Sequence, residues 1–221
     1  MAIVKTKNSI VPVLDTRHLT NSTYVIRIER NGMEFEAGQY ISLGLPGNAE
    51  KREYSIYSGT EEDYMEVLVK EIDEGIVSRQ LKQLQPGAHA EMDGPFGFFT
   101  LDETCKSGKE LVFIASGTGI APFHSFVRSY PALNYRLIHG VKYGDQAYEH
   151  EAYDDVRYIL CTSRDNRGDY QGRVTDYLRS HPVETEADYY LCGNSNMIHE
   201  VYDILKEQHV DAGCIHAEVY F

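Results

Sequence analysis

Polar and apolar residues alternate in short bursts over the first hundred positions. STYVIRIER (Ser22–Arg30), GQYISLGL (Gly38–Leu45), REYSIYS (Arg52–Ser58) and MEVLVKEI (Met65–Ile72) follow one another at close intervals. Glycine, asparagine and acidic residues separate them. A period of two in short, closely spaced runs predicts antiparallel strands arranged as a barrel or sandwich. One short helix interrupts them, SRQLKQL (Ser78–Leu84), stopped by Pro86-Gly87. Ser78 is its expected N-cap, and Leu81 and Leu84 share a face.

The pattern changes near CKSGKE (Cys105–Glu110). LVFIA is a continuous apolar run, as a strand buried on both faces requires, and a glycine-rich turn and a helical stretch follow it. NYRLIHGVKY (Asn134–Tyr143) and VRYILCTSRD (Val156–Asp165) read as further strands. ADYYLCGNSNMIHEVYDILKEQ reads as another strand–turn–helix unit, with Ile198, Val201, Tyr202 and Leu205 on one helix face. Alternating strands and helices predict a parallel α/β sheet. The expected organisation is an antiparallel β-barrel domain over 1–104 followed by a parallel-sheet α/β domain over 105–221.

Composition narrows the function. The 221 residues are 42% hydrophobic and 25% charged, ample for a packed core. The formal net charge of -13 opposes general nucleic-acid binding, because a phosphate backbone would be repelled. No apolar run is long enough to span a bilayer, and MAIVKTKNSIVPV has no long apolar segment, so neither membrane insertion nor a signal peptide is expected. Cys105, Cys161, Cys192 and Cys214 are far apart and form no CxxC pair, which predicts free thiols in a reducing cytoplasm and no protein-held metal.

The candidate chemistry lies where glycines and hydroxyls meet strand ends. REYSIYS sets a cation (Arg52), an aromatic (Tyr54) and a hydroxyl (Ser55) side by side, a set that suits a flat ligand bearing a phosphate. ASGTGIAP (Ala115–Pro122) ends a buried strand and opens a helix, where free N–H groups and the helix dipole face an incoming anion. An ordinary βα turn has the same outline. LCGNSNMI (Leu191–Ile198) repeats the device, and ligands of open α/β sheets bind beyond the carboxyl ends of the strands. Cys192 and Gly193 would floor that crevice; a small buried hydrophobe is the alternative role for Cys192. In CTSRD (Cys161–Asp165) a hydroxyl beside arginine suits a phosphate monoester, and Arg173 could join it. EGIVSRQL (Glu74–Leu81) offers an anion site or simply a capped helix. The ending IHAEVYF is either a docked tail or an aromatic stack for a planar ligand.

Together and in this order, these pieces resemble the ferredoxin–NADP⁺ reductase family. Arg52-Glu53-Tyr54-Ser55 is similar to its RxYS flavin motif, and Gly75-Ile76-Val77-Ser78 to its flavin-phosphate segment. Gly94-Pro95-Phe96-Gly97 is similar to the GPxG that ends its barrel. Gly117-Thr118-Gly119 with Ala121-Pro122 resembles its nucleotide turn, Ser163-Arg164 with Arg173 its NADP phosphate site, and Cys192-Gly193 its nicotinamide-side CG. Glu218-Val219-Tyr220 resembles the family's end, with Phe221 as an added aromatic as in bacterial members; GFFTLDET (Gly97–Thr104) also resembles that branch. Lys142 stands where many relatives carry arginine. The likeness covers nearly the whole chain.

The resemblance implies a six-stranded flavin barrel and a nucleotide domain. It implies FAD, with FMN second, held by Arg52, Glu53, Tyr54, Ser55, Ile76, Val77, Ser78, Thr118, Tyr220 and Phe221. It implies NADP(H) as co-substrate, held by Gly117, Thr118, Gly119, Lys142, Ser163, Arg164, Arg173, Cys192 and Gly193. Ser55, Cys192 and Glu218 would be catalytic. Hydride would pass from NADPH to the flavin, with Tyr220 or Phe221 moving aside, and single electrons would leave to a carrier such as ferredoxin or flavodoxin. A monomer is expected. Because ferredoxins are usually acidic, a basic patch of Lys51, Arg52, Lys70, Arg79 and Lys82 is expected to receive the carrier, or else a less acidic partner. The rivals are an NAD(P)H-dependent flavin or cytochrome-type reductase, the reductase subunit of a larger enzyme, and a non-catalytic flavin-binding module.

Overall fold

The computed structural model describes residues 9–220, so Phe221 lies outside the described residues. The chain forms two compact units: residues up to Thr100 with His124–Ser129, and Leu101–Phe123 with the remainder from Tyr130. The division is therefore not a single cut, because one helix contributes to both.

The first unit is an antiparallel sheet of six strands, β1 (Ser9–His18), β2 (Thr23–Glu29), β3 (Tyr40–Gly44), β4 (Lys51–Ser55), β5 (Tyr64–Lys70) and β6 (His89–Phe96), in the order β4-β3-β6-β1-β2-β5. The two edges meet where Ile56 bridges Val67 and the Tyr57 N–H donates to the Glu66 carbonyl at 2.7 Å. The REYSIYS strand thus leaves β3 after Ser55 and turns onto β5. Alternation fills the core: Tyr24, Ile26 and Ile28 of β2 pack with Met65, Val67 and Val69 of β5. β1 and β6 were not among the strands expected from the pattern, and both contain a proline, Pro12 and Pro95. β1 accommodates Pro12 by changing partner there, pairing with β6 up to Pro12 and with β2 from Val13.

Helix α1 spans Ile76–Lys82 with Gly75 as N-cap, three residues before the expected cap. Ser78 is not the cap. Its hydroxyl accepts from the Ile72 N–H at 3.3 Å and so ties the approach loop to the helix's first turn.

In the second unit, β7 (Leu111–Ser116), β8 (Tyr135–Val141), β9 (Tyr158–Thr162), β10 (Tyr170–Gln171), β11 (Asp188–Asn194) and β12 (Ile215–Tyr220) form a parallel sheet in the order β10-β9-β8-β7-β11-β12. Four helices accompany it, α2 (Glu103–Lys106), α3 (Ala121–Ser129), α4 (Val174–Ser180) and α5 (Ser195–Glu207). The buried face of α5 is Ile198, Val201, Ile204 and Leu205; Tyr202, expected there, is 39% exposed. The end of α3 belongs to the first unit, where His124 Nδ1 donates to the Tyr57 carbonyl at 2.6 Å and Ser125 Oγ to the Ser58 carbonyl at 2.7 Å. No helix among the described residues is long and apolar enough to cross a membrane.

Candidate functional site

In the first unit, REYS lies on edge strand β4. Arg52 and Glu53 are exposed, Tyr54 is half-buried against the barrel core, and Ser55 is buried. Arg52 donates to the Lys51 carbonyl at 2.8 Å, with Glu50 only loosely paired at 3.6 Å, so most of its guanidinium fork faces water. Burial pushes the Tyr54 phenol up to about 12, with Arg52 opposing, so its ring is a neutral surface. No side chain caps the start of α1; Ile76 is exposed there and Val77 is buried. Tyr24 ties β2 to α1: its hydroxyl donates to the Ser78 carbonyl. Sequence reasoning missed Tyr24, although a buried tyrosine in a strand must find a partner for its hydroxyl.

The expected basic patch is reduced in the structure. Lys51 is held by Glu91 at 2.6 Å and Asp93 at 2.5 Å, and Lys82 by Glu71, so these ammonium groups are already neutralised. Arg52 and Arg79 remain exposed.

In the second unit, the two glycine turns lock together backbone to backbone at the carboxyl ends of neighbouring strands β7 and β11. A Cβ on Gly119 would lie 2.3 Å from the Cys192 carbonyl oxygen. Gly193 has φ +131°, and a Cβ there would lie 2.3 Å from Ser116 Oγ. Only bare backbone permits this approach. Ser116 Oγ accepts from the Asn194 N–H at 3.0 Å, and Asn194 in turn caps α5 by accepting from the Asn196 and Met197 amides. Gly117, by contrast, has φ +55° and open space where a Cβ would stand, and Thr118 follows it, half-buried. Pro122 sits in the first turn of α3, where its missing N–H costs little.

Strand register sets Cys192 opposite Glu218 and Asn194 opposite Tyr220. Ile215–Tyr220 therefore form an edge strand, β12. Complete burial pushes the Cys192 thiol far up, and the Glu218 carboxylate reinforces this against a hydrogen bond from Tyr220. Burial thus favours the neutral thiol over the thiolate at Cys192.

The third expected cluster also gathers at the carboxyl end of this sheet. Lys142 follows β8, Ser163 and Arg164 follow β9, and the Arg164 N–H donates to the Lys142 carbonyl at 2.8 Å, holding the two loops side by side. Arg173 precedes α4. All four are exposed, and none of the three cations is ion-paired among the described residues. Arg167, which sequence reading did not single out, is tied to Asp165 at 2.8 Å and Asp145 at 3.9 Å.

Residues 12–101 match the family model of the oxidoreductase FAD-binding domain and residues 113–203 that of the oxidoreductase NAD-binding domain. The chain is 30% identical to a flavohemoprotein of Bacillus subtilis over 85% of this chain and 52% of that protein. It is 27% identical to the toluate 1,2-dioxygenase electron transfer component of Pseudomonas putida, over 94% of this chain and 66% of that one. It thus spans between about half and two thirds of those two relatives. A ferredoxin–NADP reductase of Pseudomonas aeruginosa is 29% identical over 87% of each chain. In three dimensions the chain is similar to a ferredoxin NADP⁺ reductase of Neisseria gonorrhoeae solved with bound FAD and NADP (TM-score 0.84, 24% identity, 97% of this chain and 99% of that one), a likeness of fold. With an FAD-binding domain followed by an NAD-binding one, the chain belongs to the oxidoreductases built from these two domains, and it is similar in sequence to its ferredoxin–NADP reductase relative.

Proposed function

We propose that this protein is a flavin-dependent oxidoreductase that passes electrons between NADP(H) and a one-electron carrier protein such as ferredoxin or flavodoxin. The observation that carries the reading is the pair of interlocked glycine turns at the carboxyl ends of β7 and β11, beside three cations that lack ion partners. That arrangement fits a phosphorylated dinucleotide bound at the carboxyl ends of the strands. The residues of the first unit fit FAD: a largely free guanidinium, a neutral half-buried tyrosine ring and an uncapped helix start.

Arg52 would hold the flavin pyrophosphate bidentately and Tyr54 would pack on the ring system. Ile76, Val77 and Ser78 would supply the helix start, and Glu53 and Thr118 would complete the set. When bound, FAD supplies hydride acceptance from NADPH and stepwise one-electron release. The Gly117-Thr118-Gly119 backbone would cradle the nucleotide, and Lys142, Ser163, Arg164 and Arg173 would neutralise its extra phosphate. Cys192 and Gly193 would floor the nicotinamide pocket. Ser55 and Glu218 would manage the proton, and Tyr220 with Phe221 would cover the flavin face until the nicotinamide arrives. The free thiols fit a reducing cytoplasm, and the working unit assigned here is a monomer.

The test is NADPH-dependent reduction of ferricyanide and of a ferredoxin by the FAD-loaded protein, with Arg164→Ala alongside. One lost charge-assisted phosphate contact predicts about a tenfold rise in KM for NADPH and little change for NADH. Equal effects on the two nucleotides would remove Arg164 from the phosphate site. No reduction with either nucleotide would remove the enzyme reading.

A further inference from the structure

His139 stands within β8 and is fully buried, an unusual place for an imidazole unless both ring nitrogens are satisfied. They are. Nε2 lies 2.8 Å from the Gly117 carbonyl oxygen, and Nδ1 lies 2.7 Å from the Tyr158 hydroxyl. A carbonyl only accepts, so Nε2 carries the proton; Nδ1 is then the acceptor and the tyrosine donates to it. The tautomer is fixed from both sides.

The partner carbonyl belongs to the first residue of the nucleotide turn. Across a trans peptide the C=O and the following N–H point in opposite directions. A Gly117 carbonyl drawn back onto β8 therefore turns the Thr118 N–H away from the sheet interior. That N–H lies at the start of the short helical turn over Gly117–Ile120, where it has no partner within the turn. Gly117 reaches this geometry with φ +55°, beside open space.

We propose that His139 is a positioning residue: through the Gly117 carbonyl it aims the Thr118 amide at a nucleotide phosphate, with Tyr158 holding its tautomer. This rests on the reading of the turn as a nicotinamide-nucleotide site. The imidazole touches no reacting atom, so its loss weakens nucleotide binding and leaves the turnover of bound nucleotide intact.

The experiment uses the FAD-loaded full chain as wild type, His139→Leu, His139→Gln and Tyr158→Phe. His139→Leu is expected to raise KM for NADPH and Kd for NADP⁺ about tenfold, the worth of one hydrogen bond that orients the site, with kcat within about twofold. His139→Gln, whose amide can still donate to Gly117, recovers most of that loss. In wild type labelled with nitrogen-15 at histidine, His139 shows a protonated Nε2 and a bare Nδ1. Its Nε2 signal moves on NADP⁺ addition, and Tyr158→Phe moves the Nδ1 signal. A folded His139→Leu with unchanged KM and Kd overturns the proposal. Should that variant not fold, a wild-type Nε2 signal indifferent to saturating NADP⁺ overturns it equally. A wild type that neither binds nor oxidises NADPH instead removes the reading beneath it.

Discussion

Single residues in this chain are decided by what they must satisfy when buried. Burial holds the His139 imidazole down at about 4, against the hydrogen bond to Gly117, which raises it. The folded state thus prefers the neutral ring. Stability from this source is complete above the unfolded value of 6.5 and is lost as pH falls from 6.5 to about 4, by on the order of 3 kcal/mol. Chemical denaturation at intervals of pH should show that fall, and His139→Gln should flatten it. Asp102 and Asp165, each held down to about 2 mainly by a backbone hydrogen bond, act in a separate window below the ordinary carboxylate range. Nothing in LIHGV announces this role, because the partner carbonyl lies 22 residues away. The only signal is that an imidazole inside an apolar strand needs two partners. Arg52 and the glycine turns were legible because they need no distant partner to state their chemistry.

Elements followed the pattern where it was strong. β2 and β5 alternate and were evident, and LVFIA is the central buried strand β7. β1 and β6 were hidden because proline and glycine fall inside them, and only the paired sheet shows that Pro12 sits where the strand changes partner. That Ile215–Tyr220 form a strand was not legible, and the ending was left as a docked tail or an aromatic stack, because their pairing with β11 depends on residues more than twenty positions earlier. Helix α5 follows β11 with no intervening loop, and Asn194 serves both. Replacing Asn194 by alanine removes the acceptor for two amides of the first turn and should cost about 1 kcal/mol, whereas aspartate should retain most of it. Urea unfolding of the three proteins checks this. Equal stability of the alanine variant would mean that water replaces the cap.

At the scale of the molecule, net charge bears on the approach of the proposed carrier. The formal charge is -13, and the ammonium groups of Lys51 and Lys82 are spent on internal carboxylates. An acidic carrier is therefore repelled at long range, and salt screens that repulsion. The kcat/KM for an acidic ferredoxin should rise a few-fold as ionic strength increases from about 10 to about 150 mM, and that for a neutral carrier should stay flat. A fall with salt for the acidic carrier would show that Arg52, Arg79 and their neighbours outweigh the net charge.

The most direct measurement for the central claim is anaerobic absorbance of the FAD-loaded protein during rapid mixing with NADPH and, separately, NADH. Bleaching of the yellow band by both nucleotides, at least tenfold faster with NADPH at equal low concentration, is the predicted result, since on the proposed reading Lys142, Arg164 and Arg173 neutralise the extra phosphate. A chain that takes up no FAD, or whose bound flavin stays oxidised with either nucleotide, would contradict the account.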